Sequence, residues 1–176
     1  MMTMSAQKVL LRRPRTSRSS TGLDDMNPSD MYDRALVLAK RGRKSQAARV
    51  IPLLRAAAGA GHAMASHALA TWYIHGIGLR KNFAAAVELE KVAARAGIVE
   101  AIYNLAFSYE SGRGVAKDPR EALRLYRRAA RLGDTDAMYE VGRCLFYGVG
   151  APENRQLGRK WIAKSRRAVG DSLRKK

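Results

Sequence analysis

Residues 62–170 contain three consecutive segments of almost equal length that can be laid over one another. Segments 62–97 and 98–133 are each 36 residues long, and segment 134–170 is one residue longer. A fixed period in this range is typical of stacked repeats, in which one unit cannot bury its apolar face alone. The three segments share an alanine (Ala65, Ala101 and Ala137) and a glycine pair (Gly76-x-Gly78, Gly112-x-Gly114 and Gly148-x-Gly150).

Each segment is predicted to form two helices joined by its Gly-x-Gly loop. Apolar residues recur at helical spacing on both sides of the loop in the middle segment, and the second run ends at Gly133. Two glycines let the backbone adopt positive φ at little steric cost. Asn82, Asp118 or Asn154 then stands at the same position of each segment. These residues are predicted N-caps, because a side-chain oxygen there can accept a free backbone N–H.

Residues 31–61 are predicted to form a degenerate opening repeat, with helices over 31–41 and 45–58. Pro52 lies inside the second of these helices and is expected to kink it or delay its start. Capping chemistry at Pro28-Ser29-Asp30 places the expected start of ordered structure at residue 28.

The two ends differ from the repeats. Residues 1–27 are predicted to be a disordered basic arm, since up to Gly22 they hold five basic residues, no acid and many Ser and Thr. After Gly170, residues 171–176 form a short basic end. No apolar run approaches the roughly 18 residues of a membrane-spanning helix. We therefore expect a cytoplasmic protein, with an organellar location as the alternative, because the arm also resembles a transit peptide.

Composition argues against an enzyme or a metalloprotein. The single cysteine, Cys144, excludes an internal disulfide framework and a multi-cysteine metal site. His62 and His67 are five residues apart and do not share a helix face as a metal-binding pair would. No acidic residue recurs at one position of the repeats in a way that would pair two carboxylates. No nucleotide-binding or phosphate-binding motif occurs either. No catalytic residue, metal or cofactor is predicted.

Two stretches of the middle segment closely resemble the Sel-one-like repeat family, a relative of the tetratricopeptide repeats. They are Ala-x-Tyr-Asn-Leu-Ala-x-x-Tyr-x-x-Gly-x-Gly-Val-x-x-Asp at 101–118 and Glu-Ala-x-x-Leu-Tyr-x-x-Ala-Ala-x-x-Gly at 121–133. The last segment departs most, with Ala151-Pro152 in its loop and Gly158 in place of a helix alanine. The resemblance implies an all-α fold, a right-handed α-solenoid of paired antiparallel helices with about three and a half repeats.

The same resemblance implies a protein–protein interaction scaffold or adaptor, or an inhibitor or immunity factor, that binds a partner's peptide or loop in a concave groove. It does not identify the partner. The groove positions of tetratricopeptide repeats, transferred to this chain, mix aromatic side chains with Asn, Glu and Arg, as recognition surfaces do. They are Thr71, Ile74, His75, Asn104, Phe107, Glu110, Ser111, Glu140, Arg143, Phe146 and Tyr147.

The second helices of the repeats are strongly basic. The chain has 33 Lys and Arg against 15 Asp and Glu, a net charge of +18, which attracts anionic partners. An alternative prediction is therefore a nucleic-acid-associated protein that uses this face and the basic arm; an acidic protein would also suit, and a merely solvated helix face is the simplest explanation. The candidate residues are Arg120, Arg124, Arg127, Arg128, Lys160 and Lys164.

Overall fold

The computed structural model describes residues 26–174, and this range contains eight α-helices and no strand. Each helix packs against the helices that precede and follow it in the chain, which is the arrangement of an α-solenoid. The all-helical prediction is confirmed. The helices are α1 (Pro28–Lys40), α2 (Ala47–Gly59), α3 (Ala63–His75), α4 (Phe83–Arg95), α5 (Val99–Ser111), α6 (Pro119–Arg131), α7 (Thr135–Tyr147) and α8 (Arg155–Arg174).

The predicted N-caps are confirmed in all three repeats. Asn82 accepts a hydrogen bond from the Ala85 N–H at 3.0 Å, Asp118 accepts from two backbone N–H groups, and Asn154 accepts from the Leu157 N–H at 2.9 Å. At the start of α1 the cap is Asn27, one residue before the predicted Pro28-Ser29-Asp30. Pro52 does not delay the start of α2 until the proline, since the helix begins at Ala47 and continues through Pro52.

The two glycines of each loop have different tasks. The first, such as Gly112, ends the first helix in the left-handed conformation, with φ of 76°. The second contacts the preceding repeat. A Cβ on Gly114 would lie 2.3 Å from the carbonyl oxygen of Phe83, and one on Gly150 would lie 2.1 Å from that of Pro119. The second glycine is therefore required for close stacking as well as for its backbone conformation.

Alanine fills much of the core where helices approach. Ala65, Ala101 and Ala137 occupy the N3 position of the first helices and are each 0% exposed. The equivalent position of α1 is Asp30, which is exposed. At the other end of the stack, Arg159 is exposed where α6 buries Leu123. Charged side chains thus replace apolar ones on helix faces that have no repeat packed against them here, as suits contact with water.

The last repeat differs from its predicted form. Helix α8 continues through Gly170 to Arg174, so the glycine predicted to close the repeat lies inside a helix. Gly158, the exception to the alanine pattern, packs closely on α7. A Cβ there would lie 2.7 Å from the Gly142 carbonyl oxygen, and one on Gly142 would lie 2.9 Å from the Gly158 carbonyl oxygen. Two facing glycines therefore bring these helices closer than two alanines could.

Candidate functional site

Two adjoining cavities lie along the first helices of the repeats, and we call them together the groove. Cavity 1, of about 330 Å³, is lined by α3, α4 and α5 and by Arg113. Cavity 2, of about 550 Å³, is lined by α5, α6 and α7 and by the following loops. Phe107 lines both cavities and its residue surface is 45% exposed. The two cavities therefore adjoin at an exposed aromatic residue.

A buried carboxylate lies at the wall of cavity 1. Glu90 of α4 is 1% exposed, with Oε2 3.0 Å from Nδ1 of His67 and Oε1 2.9 Å from Nδ2 of Asn104. The hydrogen bond to Glu90 is the main influence that raises the pKa of His67, whereas burial of the ring acts to lower it. His67, Glu90 and Asn104 form a hydrogen-bonded triad that joins α3, α4 and α5. The two hydrogen bonds stabilise the Glu90 carboxylate, because a buried charge without partners is costly.

Arg113, from the Gly-Arg-Gly loop, lies beside two aromatic rings of cavity 1. Its guanidinium carbon is 5.7 Å from the ring centroids of Phe83 and of Phe107. Both distances are within the range of cation–π attraction. The guanidinium of Arg113 is thus a cationic group of the protein that lies between two aromatic rings of the groove.

Cavity 2 holds a second ionic network. The Arg143 guanidinium donates to Glu110 and, from Nε, to Oε2 of Glu140 at 2.6 Å. The hydroxyl of Tyr126 donates to Oε2 of Glu110 at 3.1 Å. The carboxylate side chains are 20% and 19% exposed, so the charges are only partly screened by water. Recurrence in the sequence did not pair two acids, yet the structure brings Glu110 and Glu140 to one arginine.

Carboxylates act on the hydroxyl of Tyr103 in cavity 2. Burial is the first cause that raises the pKa of Tyr103, and the charges of Glu140, Asp136 and Asp134 raise it further, whereas Arg143 lowers it. Three carboxylates against one guanidinium give the Tyr103 hydroxyl a negative surrounding. The two cavities are lined by four carboxylates and three Arg or Lys side chains, so the groove lacks the excess of positive charge that gives the whole chain its +18.

Nine of the eleven predicted groove residues line these cavities. Thr71, Ile74, His75, Asn104 and Phe107 line cavity 1, and Phe107, Glu110, Ser111, Glu140 and Arg143 line cavity 2.

The other two predicted groove residues are Phe146 and Tyr147, and neither lines these cavities. Their rings stack against one another with centroids 5.0 Å apart, and Phe146 also contacts Arg155 and Arg159 of α8. Phe146 therefore belongs largely to the packing of the last repeat.

The sequence did not identify Glu90, Tyr103, Phe83 or Arg113 as groove residues. Glu90 occupies the position that Tyr126 holds in the next repeat. Comparison of the repeats therefore could not identify Glu90, because no acid recurs at this position. The available signal was an acid on the otherwise apolar face of α4, beside the buried Val87 and Ala94.

The predicted anionic-partner residues lie on the second helices, away from both cavities. Arg120, Arg124, Arg127, Lys160 and Lys164 are exposed, and Arg128 is half-buried. Arg124 forms a bidentate pair with Glu121, at 2.7 and 2.6 Å. Their role in binding an anion stays a prediction.

Residues 26–174 contain no group of three His, Cys, Asp or Glu side chains arranged to hold a metal ion. In the same part of the chain, no helix is both long and apolar enough to cross a membrane. Cys144 is fully buried, and burial is the main cause that raises the pKa of its thiol to about 11.

Helix pairs stacked through Gly-x-Gly loops, with a side-chain-lined groove along the first helices, define a helical-repeat protein of the solenoid class. The Sel1 repeat model matches residues 63–98, 99–134 and 135–168. The chain therefore belongs to the Sel1 repeat family, and the resemblance noted from its sequence is confirmed. Proteins of this family are generally non-catalytic protein–protein interaction scaffolds.

Three solved structures are similar to the chain. A Sel1 repeat protein from Oxalobacter formigenes is 26% identical, with a TM-score of 0.73 over 80% of this chain and 58% of that one. The protective antigen c5321 of uropathogenic Escherichia coli, which displays an SLR fold, is 25% identical, with a TM-score of 0.67 over 81% and 33%. Cysteine rich protein B of Helicobacter pylori, at 17% identity and a TM-score of 0.50 over 64% and 96%, shows the fold alone.

This chain thus spans less than two thirds of the length of the first two proteins. Among curated proteins, none matches it.

Proposed function

We propose that the groove binds an extended segment or a loop of a partner protein. The observation that carries the proposal is that the two cavities adjoin at Phe107, which lines both and is 45% exposed. Aromatic side chains in such positions dominate the binding energy of protein interfaces. The family's general use as an interaction scaffold supports the same function.

Polar groups near Phe107 can form hydrogen bonds with the backbone or the polar side chains of a bound segment. Within residues 26–174 the hydroxyl of Tyr103 makes no side-chain hydrogen bond, and it is not sealed from solvent. The amide of Asn104 donates to Glu90 through Nδ2, which leaves its Oδ1 as an acceptor. A bound segment can therefore exchange hydrogen bonds with water for hydrogen bonds with the groove.

The test replaces Phe107 by alanine in the full chain and selects binders from a displayed library of random peptides. We expect peptides that bind the unchanged chain to lose about tenfold or more in affinity for Phe107→Ala, since truncating a central aromatic residue costs at least about 1.4 kcal/mol. Leu132→Ala is the matched control, because Leu132 is 53% exposed and lies outside both cavities.

Asn104 is unsuitable for this test, since its loss would remove a hydrogen bond from the buried Glu90 and disturb folding. Selected peptides that bind both variants as well as the unchanged chain would show that the groove is not the binding surface.

A further inference from the structure

The charge of cavity 2 specifies the chemistry of its occupant. We propose that cavity 2 receives a cationic side chain, lysine or arginine, carried by the partner segment; this inference rests on the groove binding proposed above. The inference specifies the sign of the partner's charge at one place in the groove. The net charge of the whole chain would by itself predict acidic partners, so the two expectations differ.

The first support is an imbalance of charge within the ionic network of Arg143. Two carboxylates, Glu110 and Glu140, share the one guanidinium of Arg143. Within residues 26–174, the hydrogen bonds to Glu140 involve Oε2 only, so its Oε1 remains free to accept another. A second cation placed there would balance the surplus negative charge and complete the hydrogen bonding of Glu140.

Lys117 also lines cavity 2 and opposes this attraction only weakly. Lys117 is exposed, so water and salt screen the charge of its ammonium group. The side chains of Glu110 and Glu140 are about one-fifth exposed and are screened less. Screening therefore weakens the repulsion by Lys117 more than the attraction by Glu110 and Glu140.

The second support is aromatic. Tyr103 and Phe107 line cavity 2 together with the two carboxylates. A cation that reaches Glu140 also meets these rings, and aromatic faces attract ammonium and guanidinium groups. Arg113 already uses Phe107 in this way from the side of cavity 1, with its guanidinium carbon 5.7 Å from the ring centroid. An acidic side chain in the same place would face Glu140 and could pair only with the exposed Lys117.

The experiment extends the peptide selection to a matched pair of charge variants in the full chain. Glu140→Gln removes the charge from cavity 2 while keeping an oxygen for Arg143. Glu121→Gln is the control, because Glu121 also pairs with an arginine three residues later but lies on the basic outer face. Circular dichroism and thermal unfolding confirm that both variants fold.

We expect the peptides whose binding depends on Phe107 to share a lysine or arginine at one position. Glu140→Gln should weaken these peptides about fivefold, and Glu121→Gln less than about twofold, as for partly buried against exposed charge pairs. Replacing the shared basic residue of a peptide by glutamine should cause the same loss, and Glu140→Gln should then add little. Acidic peptides that bind the outer face should be unaffected by Phe107→Ala.

The outcomes separate the two proposals. Phe107-dependent peptides that lack a shared basic residue, or that ignore Glu140→Gln, would overturn the inference and leave groove binding intact. A selection that yields no Phe107-dependent peptide would overturn the proposed function itself. If Glu140→Gln does not fold, the glutamine-substituted peptides decide the question on the unchanged chain, since a cationic anchor requires their affinity to fall.

Discussion

Replacing Gly114 by alanine measures what the second loop glycine contributes to stacking. Alanine at φ of 75° costs about 1–2 kcal/mol from its backbone conformation alone. Its Cβ would also lie 2.3 Å from the carbonyl oxygen of Phe83, a contact that requires the two backbones to separate. Overpacking of this kind costs about 1–3 kcal/mol, so we expect a total loss of about 2–5 kcal/mol.

Gly112→Ala is the matched control, since it lies in the same loop with φ of 76° and its Cβ would approach only the side chain of Lys117, at 3.3 Å. It should lose only about 1–2 kcal/mol. Urea unfolding followed by circular dichroism measures both. Gly114→Ala should also lower the dependence of stability on urea, because separated repeats unfold less cooperatively. Equal shifts of the two unfolding midpoints would refute the assigned role of Gly114.

Three further changes probe the caps and the buried triad. Asp118→Ala should cost about 1 kcal/mol in urea unfolding, because two N–H groups of α6 lose their acceptor; no loss would contradict the cap. Glu90→Gln should cost about 1–3 kcal/mol at a pH where His67 is protonated, since its new NH₂ group then faces a donor of His67 or Asn104, and an unchanged midpoint would exclude this. The raised pKa of His67 means that its protonated form stabilises the fold. The excess thermal stability of the unchanged chain over His67→Gln should be greatest below its ordinary pKa of 6.5 and disappear as pH rises through the raised value. An excess that grows with pH would show the opposite sign.

The helices and their ends were predictable because the signals that form them are local. A cap such as Asp118 acts on N–H groups two and three residues away, and Gly112 ends a helix through its own φ. Buried alanines mark the packed faces at a constant spacing. The period of the three repeats that begin at residue 62 therefore follows from the sequence, and the Sel1 repeat model matches three consecutive segments of nearly that length.

The contents of the groove depended on how neighbouring helices pack, both within a repeat and between repeats. Glu90 meets His67 across 23 residues, and Arg143 meets Glu110 across 33, in positions that hold different residues in the other repeats. Recurrence therefore could not pair them, although nine of the eleven positions transferred from tetratricopeptide repeats line the two cavities. The path of α8 beyond Gly170 was also decided in three dimensions. Gly170 does not adopt the left-handed conformation with which a glycine commonly ends a helix, and α8 continues through it.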